Sequence, residues 1–125
     1  MTHKGTLIVK PLSAQLTHDT DTFGKMDPFV KVTAGSQTFT SGVAKSMGKT
    51  PSWHDVFQIN IVGEHSINLA IYDKDKFSKD EFIGDCTIQL QDVFLRRSMA
   101  DQYEIFYDGK LGGKIMVQLE FNPQP

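Results

Sequence analysis

Cysteine is nearly absent from this chain. Cys86 stands alone, so no disulfide can form within the chain, and a reducing compartment is the expectation. Cys86 lies in CTIQL at strand spacing, where it reads as core rather than as a reactive thiol. Long apolar runs are also missing: none approaches the ~20 residues of a membrane-crossing helix. The opening residues, MTHKGTLIVK, lack a secretory signal's apolar stretch and cleavage site. A cytoplasmic protein is therefore expected. Net charge is only −2, and Lys31, Lys45, Lys49 and Lys110 form no basic run, which argues against nucleic acid as a partner. The histidines, His3, His18, His54 and His65, show no metal-ligand spacing and read as surface or hydrogen-bonded residues. No serine or cysteine carries a nucleophile motif, and no glycine-rich phosphate loop is present, so no enzymatic activity is expected.

What the chain does have is alternation. Its 125 residues, 39% hydrophobic and 22% charged, suit one globular domain spanning 1–125, with a core from about 5 to 121. Period-two runs dominate over helical periodicity. They place strands at Thr6 to Ala14, Pro28 to Thr33, Gln37 to Thr40, Asp55 to Ile61, Ser66 to Tyr72, Ile83 to Leu90, Tyr103 to Tyr107 and Lys114 to Phe121. The last is the cleanest, with Ile115, Val117, Leu119 and Phe121 on one side. Pro11 inside the first run predicts an edge strand or a bulge. A short helix is predicted over Gln91 to Met99, with Val93 and Phe94 inward and Arg96 and Arg97 outward. Many short strands separated by turn residues imply an all-β antiparallel sandwich or barrel.

The stretch IYDKDKFSKDEFIG, Ile71 to Gly84, is strand, acidic loop, strand. Asp73 and Asp75 are two apart at a strand's end, so their carboxylates point to one side. Such a pair repels itself unless a cation neutralises it, and calcium prefers oxygen ligands. A plain solvated turn is the other reading of this loop alone. A second acidic stretch, Asp19, Asp21 and Asp27 in HDTDTFGKMDPFV, lies between the first two strands. Sandwich loops cluster at the ends, so two such loops can together approach the 6–8 oxygens that calcium takes. If so, the acid sits at one tip of an otherwise mildly basic body.

Other acidic motifs fit poorly. An EF-hand starting at Asp73 would put Phe77 at a ligand position, Ser78 at the glycine position and Gly84 at the terminal glutamate. Asp73-x-Asp75 also matches a phosphatase nucleophile motif, but those enzymes need alternating strands and helices.

Taken together, Asp21-x5-Asp27-Pro-Phe-Val and Asp73-x-Asp75-x5-Glu81-Phe-Ile-Gly84 resemble the two principal calcium loops of the C2 domain, a calcium-dependent phospholipid-binding module. Lys49-Thr50-Pro51-Ser52-Trp53-His54-Asp55-Val56-Phe57 resembles the family's Asn-Pro-x-Trp-Asn-Glu-x-Phe segment, with Thr50 in place of the Asn and His54-Asp55 in place of Asn-Glu. SGVAKSMGKTPSWHDVF is similar to the small single-module plant elicitor-responsive members. The resemblance runs from Gly5 to Phe121. It implies an eight-stranded antiparallel Greek-key sandwich in the second of two circularly permuted topologies. It also implies calcium as cofactor, with Asp21, Asp27, Asp73, Asp75 and Glu81 as side-chain ligands, Ser78 as an extra one, and Asp73 and Asp75 bridging two ions. Glu81 stands where Asp is more usual, which puts the second site's geometry in question. Asp19 and Asp80 fall off the pattern and read as solvated charges.

The same loops carry apolar and basic tips: Phe23 and Lys25 in the first, Lys76, Phe77 and Lys79 in the second. These rings either pack back on their own loops or enter an anionic phospholipid surface beside the lysines. The function expected is reversible, calcium-dependent docking on anionic membranes, with the protein peripheral at the membrane when loaded. The alternative is a calcium-independent or calcium-tuned module for an unidentified protein partner.

Overall fold

The computed structural model describes residues 3–17 and 25–125. Among these residues, eight strands run in chain order: β1 (Lys4–Leu16), β2 (Pro28–Ala34), β3 (Gln37–Thr40), β4 (Phe57–Val62), β5 (Ser66–Asp73), β6 (Glu81–Gln89), β7 (Ser98–Tyr107) and β8 (Lys110–Pro123). A helix, α1 (Gln91–Arg96), precedes β7. Every pairing is antiparallel, in the order β3-β2-β5-β6-β7-β8-β1-β4.

The join between β6 and β7 is one residue pair, Asp85 with Phe106, whereas the neighbouring ladders are long. The strand order therefore divides into two four-stranded halves, β3-β2-β5-β6 and β7-β8-β1-β4. Their inward side chains meet in one core, to which Val30, Ile71 and Ile83 contribute from the first half and Leu7, Ile59 and Val117 from the second. Gly84 lies at the fold-over. A Cβ there would stand 2.5 Å from Ile105 Cγ2, so the turn of the ladder needs a residue without one. The eight-stranded antiparallel expectation holds. β8 also runs between β7 and β1, as the permuted order requires.

Alternation sets which face is buried. In β8, Ile115, Val117, Leu119 and Phe121 are each at most 1% exposed, as their spacing predicts. Boundaries move where tertiary pairing adds residues. β7 begins at Ser98 rather than Tyr103, because β8 pairs with it from Ser98 onward. The helix correspondingly stops at Arg96: Arg97 takes φ 72° and its N–H donates to the Val93 carbonyl, closing the turn. Val93 and Phe94 are buried, as expected.

Pro11 is the predicted bulge, not an edge. β1 is interior, and its register against β8 shifts between Pro11 and Ser13. β4 covers β1 only as far as Val9, so the proline's missing N–H costs no ladder bond to β4. Beyond it the 49–53 segment takes over: Ala14 N–H donates to Pro51 O at 3.0 Å, and Leu16 N–H to Lys49 O at 2.7 Å. Cys86 is half-buried against the core, and burial pushes its thiol pKa up to about 11, with the Asp85 charge adding to the shift. A thiol held protonated in this way is inert at neutral pH.

Strand reversals bring four segments to one end of the molecule: residues 25–27, the 41–56 connection, the 74–80 loop and the β7–β8 hairpin. The opposite end holds α1 and the reversal at Gly63.

Candidate functional site

Asp73 is the last residue of β5, and its Cα neighbours are Pro28 on β2 and Glu81 on β6. It is only 4% exposed. Burying a carboxylate costs several kcal/mol unless it is satisfied. Its Oδ1 accepts the backbone N–H of Asp27 at 2.8 Å. Asp27 in turn uses its own Oδ1 to accept the Ser46 N–H at 2.6 Å, and its carbonyl accepts the Lys74 N–H at 3.0 Å. Three chain segments are thus tied together through these two carboxylates. Glu81 opens β6 opposite Asp73 and is exposed. Directly opposed residues on antiparallel strands stand ~5 Å apart, so a third carboxylate is brought to the same end.

Asp75 lies past the end of β5, in the loop. Its Oδ1 accepts the Phe77 N–H at 2.9 Å and its Oδ2 accepts the Ser78 hydroxyl at 2.8 Å. These bonds to the ionised form, the Phe77 N–H first, hold its pKa below the ordinary value of 3.8. Its own N–H donates to Asp80 Oδ1 at 2.9 Å, while Asp80 Oδ2 stands 3.5 Å from the Lys74 ammonium. The loop is an internally braced turn, not an open pair of parallel carboxylates.

Phe77 sits at the loop's tip, 97% exposed. The alternative in which this ring packs back on its own loop does not occur. Lys76 and Lys79 flank it, both exposed, and Lys25 is exposed beside the first loop. Asp21 and Phe23, with the off-pattern Asp19, lie outside the described residues.

Among the described residues, no three His, Cys, Asp or Glu side chains are gathered closely enough to hold a metal ion. Asp73 and Asp75, expected to point to one side, engage different partners: Asp73 accepts from Asp27, and Asp75 is turned into its own loop. The donor chemistry still suits a hard divalent cation. Asp27, Asp73, Asp75 and Glu81 present only carboxylate oxygens, with no sulfur or imidazole nitrogen among them. One of them, Asp73, is nearly buried.

Sequence reasoning missed two residues. Asp80, read as a solvated charge, braces Asp75 and pairs with Lys74. Ser46 reaches Asp27 from a connection that carries no acidic pattern. A hint lies in S-M-G, which places a turn-forming residue on each side of Met47.

Comparison with known proteins then decides the family. Residues 5–105 match the C2 domain. The chain belongs to the C2 domain family. Among curated relatives, this C2 domain is 36% identical over 121 residues to 16 kDa phloem protein 2 of Arabidopsis thaliana, a match covering 95% of this chain and 82% of that protein. Among solved structures, it superposes with a TM-score of 0.86 and 35% identity on a C2 domain-containing protein from an elicitor-responsive gene, covering 99% of this chain and 93% of that one. It also matches the calcium-bound tandem C2 domains of Extended-Synaptotagmin 2, with a TM-score of 0.82 and 28% identity over 96% of this chain and 46% of that one. The similarity to small plant C2 proteins expected from SGVAKSMGKTPSWHDVF holds.

Proposed function

We propose that this C2 domain binds calcium at the end of the sandwich that carries Asp27, Asp73, Asp75 and Glu81, with Asp21 from the first loop and the Ser78 oxygen completing the donor set, and docks reversibly on anionic phospholipid. The observation that carries this reading is Phe77: a nearly fully exposed ring, flanked by two lysines, on the loop whose root holds a buried carboxylate. A solvated phenyl ring is unfavourable until something covers it.

The chain's own residues define the steps. Asp73, held by the Asp27 N–H, keeps negative charge at the base of the site. Asp75 and Glu81 add charge at the rim, so an unloaded end repels phosphatidylserine. Bound calcium supplies positive charge there, which lipid phosphates and carboxylates can meet. Phe77 then enters among the headgroups while Lys76, Lys79 and Lys25 face the anionic surface. Burying the ring contributes ~1.5–3 kcal/mol, and each lysine about 1 kcal/mol. After association costs the net is a weak, reversible attachment, peripheral at the cytoplasmic face of membranes. Cosedimentation with phosphatidylserine vesicles in calcium and in chelator tests this; equal sedimentation in both would sink the calcium-dependent reading.

A second reading, a calcium-independent or calcium-tuned protein-interaction module, is favoured by one observation: both Asp75 oxygens are already satisfied within their own loop.

A further inference from the structure

Arg97 ends α1 in a backbone conformation that disfavours it. Its φ of 72° and ψ of −31° lie outside the ordinary left-handed region, at a place in the chain where glycine is usual. A bulky residue kept in such a conformation is strained, and retained strain points to a use for the side chain. Its Nη1 donates to the Phe94 carbonyl, and the guanidinium lies over the Phe121 ring, 5.8 Å from its centroid. Among the described residues, the other guanidinium N–H groups have no hydrogen-bond partner. Arg97 lines a cleft of about 450 Å³ at the end of the molecule opposite the acidic loops. Phe94, Leu95 and Phe121 form its apolar wall, and Lys4 supplies a second cation. His3 stacks on Phe94 with ring centroids 4.2 Å apart, and Phe94 meets Phe121 edge-on at 4.7 Å, so the rings brace one another. Leu95 is 75% exposed at this cleft. Among the described residues, no aspartate or glutamate lines it, nor the adjoining cleft of about 270 Å³ that shares His3 and Phe94. Glu64, at the same end, accepts the Val62 N–H at 2.6 Å.

We propose that this cleft binds a small organic carboxylate with an apolar body. The carboxylate meets Arg97 and Lys4, and the body lies against Leu95 and the ring block. Each part of the ligand class follows from the lining. Two cations with no acid among them select an anion. A planar guanidinium, fixed at one nitrogen and open at the others, matches a carboxylate in geometry as well as charge. An exposed leucine beside braced rings favours an apolar body that covers them. The cleft's volume falls within the about 300–1,000 Å³ of small-molecule sites. The carboxylates of the two acidic loops lie at the other end of the molecule, so occupancy here is independent of calcium and of the docking reading.

The test titrates the full chain with 4-phenylbutyrate in chelator, where the acidic end repels the probe. 4-Phenylbutan-1-ol and 4-phenylbutylamine carry the same body without the anion and should bind about tenfold more weakly. In a methyl-labelled leucine spectrum, the acid should shift the Leu95 signals. Those of Leu111, which is 51% exposed on the β7–β8 hairpin at the other end, should stay in place. Lys4→Gln should weaken binding several-fold. Arg97→Gly should weaken it about tenfold and yet melt no lower than the parent, because glycine takes this backbone without strain. That combination separates a ligand-binding arginine from one kept only to close the helix. Equal binding of the three probes, no shift at Leu95, or a shift confined to Leu111 would overturn the proposal. So would an Arg97→Gly protein that melts lower than the parent and binds the acid equally well.

Discussion

The backbone N–H of Asp27 donates to Oδ1 of Asp73 across a sequence separation of 46 residues, at 2.8 Å. One residue leads out of the first loop and the other into the second, so neither loop root can shift without the other. Asp73→Asn keeps an oxygen for that N–H but removes the charge. Its melting temperature in chelator should equal or exceed the parent's, because the desolvation cost of a nearly buried carboxylate is removed. Millimolar calcium should raise the parent by several degrees, with ~2.7 kcal/mol available at a hundredfold excess over Kd, and should leave the variant unmoved. Parallel calorimetric scans check this, and an equal rise in both proteins would remove Asp73 from the site.

Trp53 is 4% exposed and its indole N–H donates to the Pro28 carbonyl at 3.1 Å. Pro28 follows Asp27 and pairs with Asp73. The single tryptophan is therefore at the same end of the molecule as Asp27 and Asp73, and its fluorescence should change on titration with calcium. A silent emission spectrum beside a calcium-dependent melting shift would mean that the loop roots stay rigid on binding.

Asp75→Asn and Phe77→Ala should separate ion binding from lipid docking. The first should weaken both together. The second removes no ligand oxygen, so calcium affinity in solution should hold while lipid affinity falls by ~1–3 kcal/mol, roughly five- to a hundredfold. Titration calorimetry beside vesicle binding decides. A Phe77→Ala protein that docks like the parent would show that the exposed ring does not enter the lipid.

The Asp75 carboxylate should titrate below its ordinary value of 3.8, because the Phe77 N–H and then the Ser78 hydroxyl donate to its ionised form. With a depressed folded value, the bracing is fully present above the unfolded pKa and fades as pH falls through the folded one. Ser78→Ala should move the midpoint upward. Carboxyl chemical shifts followed against pH report both values, and an unmoved midpoint would assign the depression to the backbone donor alone.

Gly84→Ala puts a methyl 2.5 Å from Ile105 Cγ2 and 3.2 Å from the Phe106 carbonyl oxygen. Overpacking of this kind costs ~1–3 kcal/mol, read as a lower urea midpoint. A midpoint equal to the parent's would mean that the Ile105 side chain swings aside at no cost.

Alternation by itself determined the strands, because burial on one face of a sheet imposes a period of two on the residues. Ile115 to Phe121 could be assigned to the core from that pattern alone. The D-x-D spacing, the Asp27-Pro28 junction and the tryptophan segment likewise sufficed to identify the family. What local sequence could not decide was the direction of each polar side chain. Asp75 accepts from its own loop, Asp80 braces rather than floats, and the Asp27 carboxylate accepts the Ser46 N–H, because each bond depends on partners positioned only when the chain folds. The beginning of β7 and the bulge at Pro11 were settled in the same way, by β8 and by the 49–53 segment. A residue's face follows from its own spacing along the strand, whereas its hydrogen-bond partner follows from where distant backbone comes to lie.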